Sequence, residues 1–395
     1  MSFNENFTLD TATLFNLQKN KSYLKHFICA CVLLLTVKLC AQEQNSLSGF
    51  GIEANQLAGK VLKHSPKFIL PIPELSTAFD INFVWQTYGK KEWHQRRHFP
   101  MIGFGLTYTD YGIEPIYGRC IGAYTNLQLT LFRSKSFEWT LRLGDGIAYV
   151  SKKYQTTTPI DTLNTAIGSH INDFGIFLTD LRYHVNNHWD LQLGANFTHI
   201  SNADYHNPNL GINMYGTHIG FRYFPATSKP HHIVKELPKL ENRYLTHIQL
   251  GIAFNEARTT GNPEVPTYTA SIYESRRWLS KNNFYAGVNY AYKESTYEFL
   301  KHYGVDYGHE AANSWDGAFF AGNEFLIGSV GIISEVGLYY KQTYLKFVPV
   351  YEKIGGNLYL INKETGSIKQ LYITARLLTH GIVAEYAEFG IGTAF

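Results

Sequence analysis

The chain has few charged residues, few cysteines and only one long apolar run. Charged residues make up 17% of its 395 residues, and the formal net charge is only +3. With no basic stripe interleaved with aromatics, this composition argues against a nucleic-acid-binding protein. The chain is instead rich in glycine (33) and tyrosine (28), and its apolar residues are spread along the sequence. This composition favours an all-β protein over a soluble α/β enzyme.

The single continuous apolar run covers residues 27–37 and follows two lysines. It is too short to span a bilayer as a helix, which takes about 20 residues, but it suits the central region of a secretory signal. We therefore predict a signal peptide over residues 1–41, cleaved after Ala41, and a mature chain over residues 42–395.

The four cysteines exclude one kind of stabilisation. Three of them lie in or beside the predicted signal: Cys29, Cys31 and Cys40. Cleavage after Ala41 leaves Cys120 alone, so neither an intramolecular disulfide nor a thiolate metal site is expected. We predict no metal and no cofactor.

From about residue 48 to the C-terminus, apolar and polar residues alternate in segment after segment. One such segment has two faces of different polarity: Phe137, Trp139, Leu141 and Leu143 on one, and Glu138, Thr140, Arg142 and Gly144 on the other. Alternation at a period of two is typical of strands, and an apolar face opposite a small or polar one is typical of a membrane β-barrel. We predict a transmembrane antiparallel β-barrel of about 14 strands, within a range of about 12 to 16. A soluble sandwich is the alternative.

The long connection 225–242 divides this predicted barrel into two parts, residues 48–224 and residues 240–395. About eight strands precede the connection and about six follow it, and six are too few to close a barrel in lipid. We therefore expect one larger barrel. Residues 344–370 are among its predicted outer connections, and residues 88–99 form a second long connection on the short-turn side.

The stretch from Trp189 to Ser201 is the most informative part of the chain. One face carries seven residues: Trp189, Leu191, Leu193, Ala195, Phe197, His199 and Ser201. A histidine and a serine have no packing reason to end an apolar, lipid-facing row. An imidazole two residues from a hydroxyl on the same face can act as general base for it, which predicts chemistry on a lipid ester. The alternative is a His and a Ser at the membrane interface without a reaction.

The loop and strand that follow add three amides. Asn213 has the lipid-facing parity of the next strand, and its side-chain oxygen could accept the second imidazole N–H of His199. Asn202 and Asn209, in the connecting loop, add donors that could hold an oxyanion. Asp204, in the same loop, is a conceivable substitute acid.

Residues 199–203 (His-Ile-Ser-Asn-Ala) and residues 208–213 (Pro-Asn-Leu-Gly-Ile-Asn) resemble the signature of PagL-type lipid A 3-O-deacylases. The resemblance extends over roughly residues 48–224. It implies an outer-membrane barrel esterase with Ser201 as nucleophile, His199 as base, and oxyanion roles for Asn209 and the backbone near Asn202. The family has a Ser–His–Glu triad, whereas this chain has Asn213 at the glutamate position.

The sequence thus predicts an outer-membrane serine esterase of a Gram-negative bacterium. It would remove an ester-linked acyl chain from lipid A and would contact lipopolysaccharide and outer-membrane lipids, but no nucleic acid. Its predicted site comprises Ser201, His199 and Asn213, with Asn202 and Asn209 at the oxyanion. A non-enzymatic pore or structural barrel stays open, favoured by Asn213 and by the additional strands. An acyltransferase using the same serine also stays open.

Overall fold

The structure, a computed structural model, describes residues 47–226, 230–238, 243–256, 263–278, 281–346, 348–381 and 383–395. These residues form 16 strands and three short helices. The strands close into two antiparallel barrels of eight strands each. The predicted signal peptide, residues 1–41, lies outside the described residues. No helix in the described ranges is long and apolar enough to cross a membrane.

The first barrel is closed by hydrogen bonding of its first strand to its last, with Ile52 opposite Tyr223. Its strands are β1 (Phe50–Val61), β2 (Ser76–Gln86), β3 (Met101–Asp110), β4 (Arg119–Arg133), β5 (Phe137–Val150), β6 (Ile171–His184), β7 (Trp189–Ser201) and β8 (Ile212–Tyr223). Two helical turns lie in its connections: α1 (Glu92–Arg96) between β2 and β3, and α2 (Glu114–Tyr117) between β3 and β4.

The second barrel is closed in the same way, with Leu250 opposite Ile391. Its strands are β9 (Tyr244–Glu256), β10 (Glu264–Trp278), β11 (Asn282–Lys293), β12 (Trp315–Ile327), β13 (Val330–Lys341), β14 (Val350–Asn362), β15 (Gln370–His380) and β16 (Val383–Ala394). The helix α3 (Glu294–Tyr303) connects β11 to β12.

The all-β, antiparallel barrel class predicted from the sequence is confirmed, but the single barrel of about 14 strands is replaced by 16 strands in two barrels. Residues 243–395 supply eight strands rather than six, and eight are enough to close a barrel of their own. One strand that the sequence analysis missed is β14, which lies inside the predicted connection 344–370. Glu352 and Gly356 interrupt its outward apolar row, so the alternation that identifies a strand is absent there.

Both barrels are apolar outside and polar inside. Many outward-facing apolar side chains of both are exposed, among them Leu191 (56%), Ile219 (66%) and Leu250 (58%). The lumen of the first barrel holds Arg142 and Arg182, both fully buried. Arg142 pairs with Glu53 at 2.5 Å, and Arg182 pairs with the same carboxylate at 2.9 Å. An apolar exterior around a charged interior is the arrangement of a barrel in lipid.

The lumen of the second barrel is filled in the same way. Lys353 pairs with Glu388 at 3.0 Å, and Arg376 pairs with Glu335 at 3.4 Å. An eight-stranded barrel has an interior just wide enough for its side chains. Buried ion pairs across both lumens are therefore an argument against the pore suggested as an alternative function.

The two barrels are joined at the end that carries α1. Arg97, directly after α1, donates to Leu326 O at 3.0 Å and to Asn282 Oδ1 at 3.1 Å, and also to Lys281 O. Its guanidinium lies 3.3 Å from the centre of the Phe325 ring. One side chain of the first barrel thus binds two turns of the second.

The connections 88–99 and 225–242, both long although predicted on the short-turn side, bind each other. Gln95 donates to Lys235 O at 2.8 Å, and Arg96 donates to Pro238 O at 2.9 Å. These long segments therefore link the barrels at the end opposite to the β7–β8 loop.

Candidate active site

The predicted parity of β7 is found in the structure. By parity, His199 and Ser201 continue the outward row of exposed Leu191 and Leu193, with His199 half-buried and Ser201 only 5% exposed. The antiparallel register of β7 and β8 places His199 directly opposite Asn213. The neighbouring strand β6 has Gly175 opposite His199, so no side chain stands directly opposite the imidazole on that strand.

The three predicted catalytic side chains are joined by hydrogen bonds. Ser201 Oγ lies 2.9 Å from His199 Nε2, and His199 Nδ1 lies 2.6 Å from Asn213 Oδ1. Because an amide oxygen only accepts, Nδ1 carries the hydrogen and Nε2 is left to accept from the serine hydroxyl. This is the tautomer that a general base needs.

His64, which the sequence analysis missed, fixes the orientation of Asn213. Its Nδ1 lies 3.0 Å from Asn213 Nδ2, and its Nε2 lies 2.8 Å from Leu210 O. Since a carbonyl only accepts, Nε2 carries the hydrogen and Nδ1 accepts from the amide. The longer 3.2 Å approach of Leu62 O to Nδ1 would need a proton on that nitrogen, where the Asn213 amide already donates. The amide oxygen is thereby turned to His199.

The two predicted oxyanion residues hold each other in the β7–β8 loop. Asn209 Oδ1 accepts the backbone N–H of Asn202 at 2.9 Å, which leaves Nδ2 as the donor end of the Asn209 side chain. The Asn202 amide donates to Ser169 Oγ and to His206 O, both at 2.8 Å. Of the two asparagines, Asn202 therefore organises the loop, and the Nδ2 group of Asn209 remains the predicted donor to an oxyanion.

Gly211 leaves little room for a side chain beside His199 and Ser201. Its φ is +76°, in the left-handed region. A Cβ there would lie 3.0 Å from Ile200 O, 3.2 Å from His199 Cε1 and 3.6 Å from Ser201 Cβ. The glycine is required both by the turn and by the space that His199 occupies.

Asp204 does not replace the missing carboxylate of the triad. The Nδ1 position of His199 is occupied by Asn213. Asp204 instead lines a polar cavity of about 170 Å³, together with Asn207, Asn255, Glu256, Thr267, Ser295 and Glu385. The side chain beside His199 Nδ1 is thus the amide of Asn213.

The next features are the groups that could bind a metal and the cysteine thiol. Within these ranges, no group of three or more His, Cys, Asp or Glu side chains is arranged to hold a metal ion. Cys120 is reduced and buried in the apolar cluster at one end of the first barrel's interior. It does not belong to the row of Ser201 and His199, because its side chain points inward from β4.

Two family models match the sequence in succession. Residues 77–222 match the model described as lipid A 3-O-deacylase (PagL). Residues 243–395 match the model described as acyloxyacyl hydrolase, C-terminal domain. The boundary between the two matches coincides with the boundary between the two barrels. No curated protein matches the sequence significantly.

Solved structures with a similar strand arrangement include the crystal structure of the outer membrane enzyme PagL. It is 16% identical over 43% of this chain and 98% of that chain, with a TM-score of 0.28. A mutant porin of Rh. blastica is 9% identical over 87% of this chain and 99% of that chain, with a TM-score of 0.19.

Proposed function

We propose that this protein is an outer-membrane serine esterase that removes an ester-linked acyl chain from lipid A. The premise is that residues 77–222 belong to the lipid A 3-O-deacylase (PagL) family and that the protein is an ester hydrolase. The observation that carries the proposal is the hydrogen-bonded chain from Ser201 through His199 to Asn213 on the apolar outer face of β7 and β8. A nucleophile on that face meets lipid rather than the barrel lumen.

Acylation of Ser201 begins from the contact already present. Ser201 Oγ attacks the ester carbonyl carbon while its proton passes to His199 Nε2, 2.9 Å away. The tetrahedral intermediate collapses, the sugar hydroxyl leaves with the proton from His199, and the acyl chain stays on Ser201. Water then attacks the acyl-serine, again with His199 as base, and the fatty acid is released.

Asn209 supplies the hydrogen-bond donor that stabilises the oxyanion. The oxyanion of each tetrahedral intermediate accepts a hydrogen bond from Asn209 Nδ2, whose Oδ1 is anchored on the backbone N–H of Asn202. A preorganised donor of this kind contributes about 2.7–4 kcal/mol to transition-state stabilisation in a serine hydrolase. The anchoring matters because an amide that must first be oriented contributes less.

Asn213 is neutral, so it takes the place of the family's carboxylate only by orienting His199. In serine triads, an Asp-to-Asn change lowers the rate about 10⁴-fold chiefly because the histidine takes the wrong tautomer. Here His64 binds the Nδ2 end of Asn213, so the oxygen faces His199 and the correct tautomer is kept. The remaining cost is the weaker stabilisation of the imidazolium in the transition state.

The test is mass spectrometry of lipid A from cells that express the wild-type protein or Ser201→Ala. We expect wild-type lipid A to lose the mass of one hydroxyacyl chain and the extract to contain that free fatty acid, whereas Ser201→Ala leaves lipid A intact. Identical lipid A in both strains, with both barrels inserted at equal amounts, would overturn the proposal. Transfer of the acyl chain to a second acceptor, instead of its release as free fatty acid, would identify an acyltransferase.

A further inference from the structure

The β7–β8 loop is held by residues of the second barrel. Asn207 donates its backbone N–H to Glu256 Oε2 at 2.8 Å. The ring of His206 lies between two carboxylates, with Nδ1 3.3 Å from Glu256 Oε1 and Nε2 3.2 Å from Glu264 Oε1. Glu256 ends β9 and Glu264 begins β10, so both belong to one end of the second barrel.

Tyr205 extends this contact to a third consecutive loop residue. Its hydroxyl donates to Glu264 Oε2, and its ring packs edge-on against His206 with centroids 4.5 Å apart. Burial, together with the Glu264 carboxylate, raises the pKa of the Tyr205 hydroxyl well above its usual value. The hydroxyl therefore keeps its proton and remains the donor.

The contacted segment is bonded in turn to the residues of the site. Asn202 Nδ2 donates to His206 O at 2.8 Å, and the backbone N–H of Asn202 donates to Asn209 Oδ1 at 2.9 Å. A displacement of His206 thus moves Asn202, and with it the anchor of the Asn209 amide. Hydrogen bonds and the peptide chain of the loop therefore connect Glu256 to the Asn209 amide without a gap.

The backbone of the loop needs such an external hold. Ala203 and Asp204 have φ values of +55° and +61°, in the left-handed region that disfavours residues other than glycine. Strained conformations of this kind persist where the surrounding structure imposes them. The contacts of Glu256 and Glu264 begin at the next residue along the chain, Tyr205.

We propose that the second barrel positions the catalytic loop of the first, with Glu256 and Glu264 as its positioning residues. The inference rests on the proposed deacylase function. The two carboxylates act through the loop: they hold residues 205–207 and thereby set where the Asn209 donor stands. This assigns a role in the reaction to residues 243–395.

The test uses the full chain in detergent micelles and four variants. The double variant Glu256→Ala/Glu264→Ala removes both carboxylates. Glu256→Gln keeps an oxygen for the Asn207 N–H. Glu364→Ala is the matched control, since Glu364 is a second-barrel carboxylate 70% exposed in the β14–β15 connection, at the end of the barrel opposite to β9–β10. Ser201→Ala is the inactive reference.

Two readouts separate this proposal from the proposed function. The first is amide hydrogen exchange of residues 202–211, which needs no catalysis. The second is kcat and KM for deacylation of lipopolysaccharide. We expect faster loop exchange in the double variant and a kcat lowered by about 10²-fold, as for a small misplacement of catalytic groups. KM should change by less than about twofold, because the substrate-binding face is intact.

Each result decides one of the two proposals. Glu256→Gln should keep most of the wild-type kcat that the double variant loses, and Glu364→Ala should match the wild type in both readouts. Unchanged loop exchange in the double variant, or faster exchange with unchanged kcat, overturns the positioning role. An inactive wild-type protein overturns the deacylase function, while the exchange data still show whether the second barrel holds the loop.

Discussion

Asn213 Nδ2 donates to His64 Nδ1 over 3.0 Å, and this contact decides which end of the Asn213 amide faces the catalytic histidine. An amide is asymmetric, with one end that donates and one that accepts, whereas the glutamate of the related family presents an oxygen whichever way it turns. A symmetric carboxylate always presents an oxygen to the histidine, whereas the Asn213 amide must be held with its oxygen in that direction. The chain therefore needs an extra residue to hold it. His64 is that residue.

The first prediction concerns the charge that Asn213 lacks. Asn213→Glu should raise kcat, because a carboxylate at Nδ1 stabilises the imidazolium that forms as Ser201 attacks. We expect a gain of about 10-fold or more, smaller than the about 10⁴-fold cost of the corresponding Asp-to-Asn change, because the tautomer is already correct here. The measurement is kcat for release of the hydroxyacyl chain, with Asn213→Ala as the control that loses both orientation and charge. A rate for Asn213→Glu equal to that of Asn213→Ala would contradict the assigned role.

The second prediction is a double-mutant cycle between His64 and Asn213. His64→Ala in the natural chain should lower kcat by about 10-fold, because the amide is then free to turn its nitrogen towards His199 and reverse the tautomer. In the Asn213→Glu background the same change should cost less than about twofold, because both ends of a carboxylate accept.

Additive effects of His64→Ala in the two backgrounds would show that His64 acts by packing alone. The control for packing is His64→Phe, which keeps a ring beside Phe68, whose centroid lies 5.5 Å from that of His64. His64→Phe should lose as much activity as His64→Ala if the hydrogen bond is what matters.

Much of the catalytic trio follows from the sequence because it depends on local rules. A period of two puts His199 and Ser201 on one face, and the parity of the following strand puts Asn213 on the same face. The register of two strands joined by one loop then brings the three together. His64 depends on something else, the pairing that closes the barrel between β1 and β8, which places Val61 opposite Met214. No local pattern in the sequence carries that information.

The division into two barrels escaped the sequence analysis for a related reason. Strand counting depends on an unbroken apolar row, and β14 interrupts its row with a charged residue, Glu352, and a glycine, Gly356, while placing Lys353 inside the lumen. The contacts of Glu256 and Glu264 with the catalytic loop depend on how two closed barrels pack against each other. Such packing is invisible in alternation patterns, which describe one strand at a time.

The third prediction concerns Gly211, whose conformation and surroundings both disfavour a side chain. Gly211→Ala should reduce kcat by about 10²-fold, because the new Cβ, 3.2 Å from His199 Cε1, pushes the imidazole out of line with Ser201. Gly308→Ala separates this clash from backbone strain: Gly308 also has a positive φ, +82°, but has nothing within 4 Å of the added Cβ. Kinetic assays of both variants, together with their thermal unfolding in detergent, should show activity lost in Gly211→Ala alone. Equal losses in the two variants would mean that left-handed strain, rather than contact with His199, makes the glycine necessary.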